Sequence, residues 1–205
     1  RFSEDGWLIM QGLKDEIPGE QTVLHPAPLG VTQVLERLLV MLGAFTGLCV
    51  ESMSRGQGFH FIELGRRVER GQGVISLLRA ALLWTGEYDP QLLPFLLAVN
   101  DNRTTYSRRY RLDAQLGPVL DLFVQDLTNP RSIAFQLDSL RRLCEALPAP
   151  SMGTTGQMLD IVEATAAGLV SFDADALCEF AVDPTVKEIL VDQLARFAKG
   201  FGDVS

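Results

Sequence analysis

Apolar side chains recur along most of the chain at the three-to-four-residue spacing of an α-helix, and no stretch shows the alternation of a half-buried strand. Loops rich in proline and glycine at 18–30 and 148–156, and the Gly-Gln-Gly break at 56–58, separate these periodic segments. The pattern therefore predicts an all-α fold, an antiparallel helical bundle of about eight or nine helices. The predicted helices lie near 4–16, 31–55, 59–85, 90–110, 118–127, 130–147, 155–169, 173–181 and 184–199.

Three Asx-Pro pairs, at 89–90, 129–130 and 183–184, mark predicted helix starts. An Asn or Asp side chain caps the free N–H groups of a first turn, and proline fits the first helical position because its missing N–H costs nothing there. The loop PAPSMGTTG at 148–156 is the best candidate for a boundary inside the chain. We predict a main helical bundle over residues 1–150, with the C-terminal helices of residues 151–205 packing on it.

The helix predicted at 59–85 changes character halfway, from strongly charged to almost wholly apolar. At 100° per residue, Glu63, Arg66, Arg67 and Arg70 fall within an arc of about 100°. The same arc continues into apolar residues in the second half of the helix, so this face is expected to pack inward along its whole length. The charged groups are therefore predicted to be at least half buried.

The helix predicted at 90–110 repeats this pattern in reverse, since its apolar stripe continues as Arg103, Tyr106 and Tyr110. A short connection makes the two helices predicted antiparallel neighbours. Both charged segments lie about 20 residues, or about 30 Å, from that connection, so they are expected to meet at one end of the bundle. The candidate ligand-binding residues at that end are Glu51, Arg55, Glu63, Arg66, Arg67, Arg70, Arg103, Tyr106, Arg109 and Tyr110.

The polar cluster allows a structural and a functional interpretation. It can be a self-satisfied network, with Glu63 paired to Arg67 and Arg66 paired to Glu69. Alternatively, arginines outnumber carboxylates, and unpaired buried charge is costly, so the excess favours an anion from outside. A third hypothesis is catalysis by Glu63 or Glu51 as a general base, although neighbouring arginines favour electrostatic stabilisation over proton abstraction. The sequence leaves enzymatic activity open.

The charge distribution narrows the class of ligand. The whole chain has a formal net charge of −8, which argues against nucleic-acid binding. Residues 55–111 nevertheless hold nine arginines, no lysine and five acids. A small anion or an acidic peptide is the expected ligand, because arginine forks suit carboxylates and phosphates. A GC-rich genome is the alternative explanation for the excess of arginine over lysine.

Several classes of site and location are disfavoured. His25 and His60 lack the spacing of a metal site, so we predict no metal. The sequence has no phosphate-binding loop, and we predict no cofactor. It also has no GxSxG motif, so we do not expect an ordinary hydrolase. Three scattered cysteines are expected to be buried free thiols, as in the cytoplasm. No uninterrupted apolar run reaches about 18 residues, so no membrane contact is predicted.

Three segments, ESMSRGQGFHFIELGRRVER, NRTTYSRRY and NPRSIAFQL, resemble successive motifs of the bacterial Alpha-E domain family, an all-helical family. The resemblance covers residues 1–150 well and the remainder more loosely, and Phe59 stands where the family usually has Trp. It implies that the following residues are motif positions: Glu51, Arg55, Gly65, Arg66, Arg67, Glu69, Arg70, Tyr106, Arg109, Tyr110, Asn129, Pro130, Arg131 and Ser132.

The resemblance also implies a cellular context. Family members are longer, which implies that this chain is a C-terminal portion. They occur beside or fused to circularly permuted ATP-grasp proteins and transglutaminase-like peptidases. The implied function is a helical accessory domain of a bacterial peptide- or amide-ligation system, with those two proteins as partners. A structural scaffold for protein interaction, with no ligand, is the alternative.

Overall fold

The computed structural model describes residues 3–17, 28–84, 91–111, 113–147, 154–170 and 184–204. Within these ranges the chain forms nine α-helices and one π-helical turn and no strand, which confirms the predicted all-α fold. The chain divides into two compact units, Arg1–His60 and Phe61–Ser205. The helices are α1 (Glu4–Glu16), α2 (Pro28–Ser52), α3 (Gln57–Trp84), α4 (Leu92–Val99), α5 (Arg103–Tyr110), α6 (Leu116–Leu120), α7 (Ile133–Ala146), α8 (Thr154–Val170) and α9 (Pro184–Val204), and the π-helical turn is Asp121–Gln125.

The first unit contains α1 and α2 packed against each other. Ser3 caps α1 by accepting a hydrogen bond of 3.2 Å from the backbone N–H of Gly6. Nε of Arg37 lies 3.2 Å from Oε1 of Glu16, which joins the two helices. Gly12 lies against Met41, so the absence of a side chain at Gly12 permits this close approach.

Helix α2 is also notable for its apolar composition. An 18-residue window within Gly30–Ser52 has a mean hydropathy of 1.5, and by length and composition alone this helix is long and apolar enough to cross a membrane. A mostly buried core helix of a soluble protein passes the same test, whereas only 6% of this window is buried in the structure. The absence of membrane contact, expected from the sequence, therefore stays a prediction.

The second unit is built around the apolar part of α3. Val68, Ile75 and Leu78 of α3 are buried in one core with residues of α4 through α9. The ring of Phe201 on α9 lies directly against Gly71 of α3. Helix α8 packs between α7 and α9. The buried half of α3 thus organises this unit, and its charged half leads to the site described below.

The prediction of one continuous helix at 90–110 is wrong, because the chain turns at Asn100–Asn102 between α4 and α5. The backbone N–H of Asn102 donates to Leu97 O at 2.7 Å, and that of Asp101 donates to Ala98 O at 3.0 Å. Asp101 has a φ of 50°, so this is the Schellman ending of a helix with aspartate where glycine is usual. No glycine in the sequence indicates this turn.

The helix predicted at 118–127 and the start predicted at Pro130 also need correction. Helix α6 begins at Leu116 and passes into the π-helical turn, and α7 begins only at Ile133. Ser132 caps α7, since its Oγ accepts the N–H of Phe135 at 3.0 Å. Asn129 is not the cap because its Oδ1 accepts the N–H of Arg131 and its Nδ2 donates to Leu122 O at 2.8 Å.

Several predictions fall outside the described residues. They include the helix at 173–181, the Asx-Pro pairs at 89–90 and 183–184, the connection at 85–90 and most of the loop at 148–156. The boundary at residue 150 and the antiparallel pairing of α3 with the helices that follow it therefore stay predictions.

Candidate functional site

The carboxylate of Glu63 is held by two arginines of its own helix. Nη1 of Arg66, three residues on, donates to Oε1 of Glu63, and Nη2 of Arg67, four residues on, lies 3.0 Å from Oε2. The Glu63 side chain is 9% exposed, so this pairing takes place largely away from water. The predicted pairing of Glu63 with Arg67 is confirmed. Arg66 pairs with Glu63 rather than with the exposed Glu69.

Arg67 connects α3 to the start of α7. Its Nη1 lies 3.5 Å from Oε1 of Gln136, and its guanidinium carbon lies 5.5 Å from the centroid of the Phe135 ring. Its Nε is buried and has no hydrogen-bond partner among the described residues. A buried donor without an acceptor is costly, so this part of the site can still accommodate one acceptor.

Arg70 and Arg131 add two further positive charges to this region. Partial burial, and then three neighbouring guanidinium groups, lower the pKa of Arg70 below its ordinary value. Those groups belong to Arg66, Arg67 and Arg131, which places three other arginines within electrostatic range of Arg70. Arg70 forms no ion pair with any residue that the structure describes. We call Arg66, Arg67, Arg70 and Arg131 the arginine cluster.

The loop at 126–132 positions Arg131 through a set of buried hydrogen bonds. Oγ of Ser132 donates to Asp126 O at 2.6 Å, and Nε2 of Gln136 donates to Pro130 O at 2.7 Å. Arg131 itself stays half-exposed, and its Nη2 lies 2.7 Å from Oδ2 of Asp101 in the turn after α4. The arginine cluster thus combines groups from α3 and the 126–132 loop, and the turn between α4 and α5 supplies a carboxylate partner for Arg131.

A second polar cluster, which we call the tyrosine–aspartate cluster, contains the other predicted residues. Nη1 of Arg109 lies 2.5 Å from Oδ2 of Asp126, and its Nη2 lies 3.5 Å from Oδ2 of Asp121. The hydroxyl of Tyr110 donates to Asp121. The buried Tyr106 hydroxyl donates to a backbone carbonyl at 3.0 Å and accepts a backbone N–H at 2.9 Å. One arginine here faces two carboxylates, so the balance of charge is opposite to that of the arginine cluster.

Asp126 and Gln136 link the two clusters. Asp126 accepts from Arg109 through its side chain and from Ser132 through its backbone carbonyl. Gln136 in turn donates to Ser132 O at 3.2 Å and accepts from Arg67. A continuous hydrogen-bond network therefore runs from α5 through the 126–132 loop to α3.

The structure does not bring all ten predicted residues together. Arg103 is exposed at the start of α5, where it forms no hydrogen bond or ion pair with a described residue. Arg55 lies in the first unit, where its Nη2 donates to Val50 O at 2.6 Å and its guanidinium carbon lies 4.2 Å from the Phe59 ring centroid. Glu51 is exposed in that same unit.

Periodicity missed the residues that complete the site, namely Asp101, Asp126, Arg131 and Gln136. Gln136 could have been noticed as a polar residue within the apolar stripe of α7, where it is fully buried. The sequence signal for Arg131 is its position in a family motif, since helical periodicity does not include it. Among the described residues, no group of three His, Cys, Asp or Glu side chains is arranged to hold a metal ion.

The comparison with protein families agrees with the motifs. The family model for Alpha-E, described as a predicted alpha-helical domain with a conserved ER motif, matches residues 1–204. The chain belongs to the Alpha-E family. This chain has Glu-Arg pairs at 36–37 in α2 and at 69–70 in α3, and the second pair includes a member of the arginine cluster.

Relatives of this Alpha-E domain occur in mycobacteria. The uncharacterized proteins Mb2597 of Mycobacterium bovis and Rv2567 of Mycobacterium tuberculosis are each 27% identical to it over 158 residues. The aligned region is 74% of this chain but only 18% of each relative, so the chain spans a minor part of their length. No solved structure shows a significant match.

Proposed function

We propose that this Alpha-E domain binds a small anion or an acidic peptide through the arginine cluster. In this proposal it is a helical accessory domain of a bacterial amide-ligation system, with an ATP-grasp-type ligase and a transglutaminase-like peptidase as partners. The ligand's carboxylate or phosphate group lies at Arg70 and Arg131, beside the Glu63 pairs on α3.

The observation that carries the proposal is the unbalanced charge around Arg70. Four guanidinium groups lie in electrostatic range, whereas the carboxylates paired to them are those of Glu63 and Asp101. Burial first, and then the neighbouring guanidinium groups, lower the pKa of Arg70, so an added anion would relieve the repulsive part of this effect. The buried Nε of Arg67 also favours an added anion, because it is a donor with no acceptor among the described residues.

The arrangement assigns different tasks to the four arginines. Glu63 fixes Arg66 and Arg67, which contribute positive electrostatic potential; their one donor that is buried without a partner among the described residues is Nε of Arg67. Arg70 has both terminal nitrogens available, and Arg131 can exchange its bond to the exposed Asp101 for one to a ligand. A planar guanidinium can donate two parallel bonds to one carboxylate or phosphate, which favours a terminal acidic group as the ligand.

The negative net charge of the chain disfavours a polyanion as the ligand. A net charge of −8 repels nucleic acids at long range, whereas a single acidic group can enter a local positive patch. The proposed partnership with an amide-ligation system rests on the family resemblance. This chain spans only 18% of the length of its curated relatives, so the comparison with them says nothing about the activity of a complete protein.

Calorimetric titration of the chain with inorganic phosphate and with a glutamate-rich peptide tests the proposal. We expect saturable binding that Arg70→Ala and Arg131→Ala each weaken about tenfold, a loss of about 1.4 kcal/mol. Arg142→Ala is the matched control, because Arg142 is an exposed arginine that pairs only with Asp138 within α7. Binding of neither probe, or equal binding by Arg70→Ala, would favour the scaffold alternative, in which the polar network is purely structural.

A further inference from the structure

A separate groove lies between α8 and α9, away from the residues described above. It has a volume of about 390 Å³ and is lined by residues of these two helices. The helices come close where Gly200 lies against Thr165 and where Gly168 lies in contact with Phe197. A side chain at Gly200 would overlap Thr165, so the glycine sets the depth of the groove.

One polar group inside this groove has no hydrogen-bond partner among the described residues. Oε1 of Gln193 is buried and accepts no hydrogen bond from any described residue. The hydroxyl of Thr165, a polar group of α8 that also lines the groove, donates to Ile161 O at 2.7 Å in its own helix. Because buried acceptors in proteins are almost always paired, Gln193 indicates a missing N–H or O–H donor at this position.

Two cationic side chains line the groove beyond Gln193, and the carboxylate of Asp203 lines it one turn beyond Lys199. Lys199 forms no ion pair in the described part of the chain. Arg196 is paired with Asp192 at 2.8 Å, but both side chains are strongly exposed and such a surface pair is readily exchanged. Gln193, Arg196 and Lys199 follow one another at intervals of three residues, a rise of about 4.5 Å per interval. An acceptor and two cations therefore lie in sequence along one wall.

We propose that this groove binds the C-terminal residue of a peptide or an N-acyl amino acid. Such a group carries an amide N–H next to a carboxylate. The N–H donates to Oε1 of Gln193, the carboxylate is bound by Lys199 and Arg196, and an apolar side chain lies on Phe197. Ile161 and Ala164 provide the facing apolar wall. The site is independent of the arginine cluster, so either proposal can fail without the other.

The test is an NMR titration of the isotope-labelled chain with N-acetyl-leucine, compared with N-acetyl-leucine amide, which keeps the N–H but lacks the carboxylate. We expect shifts at Gln193, Lys199 and Phe197 with N-acetyl-leucine, and at least fivefold weaker binding of the amide. Gln193→Leu and Lys199→Gln should each weaken binding at least fivefold. Gln193→Leu should remain folded, because it removes a buried oxygen that has no partner among the described residues and replaces the half-buried side chain by an apolar one of similar size.

Two matched variants complete the experiment. Lys14→Gln removes the same charge from exposed α1 and should leave binding unchanged. Arg70→Ala should show the same shifts at Gln193, Lys199 and Phe197 as the parent chain, which separates binding in this groove from binding of the same carboxylate at the arginine cluster. The proposal is overturned if N-acetyl-leucine does not bind, if its amide binds equally well, or if Gln193→Leu or Lys199→Gln binds without loss.

Discussion

Nη2 of Arg67 lies 3.0 Å from Oε2 of Glu63, one helical turn away on α3, and only 17% and 9% of the two side chains are exposed. Because Arg66 bonds the other carboxylate oxygen, Glu63 is shared by two arginines. The arrangement is asymmetric: loss of Arg67 leaves Glu63 with one arginine partner, whereas loss of Glu63 removes the carboxylate that both partly buried arginines share.

Single substitutions at this pair should therefore differ in cost. We expect Glu63→Ala to lower the free energy of unfolding by about 3–5 kcal/mol, as for other broken buried pairs, and Arg67→Ala to lower it by less because Arg66 remains. The double variant should be more stable than the two single losses added together predict. Denaturant unfolding of all three variants measures this coupling. Additive effects, each within about 0.5 kcal/mol, would mean that the pair is effectively solvated.

Ser132 should contribute more than an ordinary helix cap. Its Oγ accepts the N–H of Phe135 and also donates to Asp126 O, and the residue is fully buried. Ser132→Ala should lower the free energy of unfolding by about 2 kcal/mol, the sum of a lost cap and an unpaired carbonyl. Ser139→Ala is the control in the same helix, expected to change stability by less than about 0.5 kcal/mol. Equal effects of the two substitutions would contradict the assignment of the cap.

Local periodicity was enough to predict α3 within two residues of each end, and the i,i+4 spacing was enough to predict the pairing of Glu63 with Arg67. Both are properties of one continuous helix. The turn after α4 was missed because Asp101 takes the left-handed position in which glycine usually stands. One continuous helix would place Arg103 on the same face as the apolar stripe of α4, but the turn ends that face before Arg103.

The composition of the arginine cluster could not be read from spacing for a different reason. Arg131 and Asp101 are separated by 30 positions in the sequence, and they meet only because the 126–132 loop is folded by Asn129, Ser132 and Gln136. The residue that looks like the helix cap, Asn129, instead donates to Leu122 O in the π-helical turn. Tertiary hydrogen bonds thus decided which arginines are neighbours.

Two glycines of α3 should respond oppositely to the same substitution. A Cβ at Gly71 would overlap the ring of Phe201, whereas a Cβ at Gly73 would meet nothing within 4 Å. Gly71→Ala should lower the free energy of unfolding by about 1–3 kcal/mol through overpacking. Gly73→Ala should raise it by about 0.5–1 kcal/mol, because alanine loses less backbone entropy in a helix.

The Gly71 prediction can be checked by a compensating change at Phe201. Gly71→Ala combined with Phe201→Leu should cost less than the sum of the two single substitutions, because the smaller side chain makes room for the methyl group. Thermal unfolding of the four variants is the measurement. If Gly71→Ala and Gly73→Ala stabilise equally, α3 and α9 do not approach as closely as the structure indicates.

The last prediction concerns the pH dependence of stability at Tyr110. Burial first, and then the hydrogen bond to Asp121, raises the pKa of Tyr110 above its ordinary value. The protonated phenol is thus favoured by folding, so its contribution is fully present below about pH 10, where an unfolded tyrosine ionises, and declines as the pH rises above that value. Tyr110→Phe should be less stable than the parent chain by about 1 kcal/mol at neutral pH, and the difference should narrow at alkaline pH.

Asp121→Asn should move the ionisation of Tyr110 to lower pH, measured by tyrosinate absorbance, because the neighbouring negative charge is gone. A stability difference between Tyr110→Phe and the parent chain that stays constant across the alkaline range would show that the hydroxyl does not bond to Asp121 in solution.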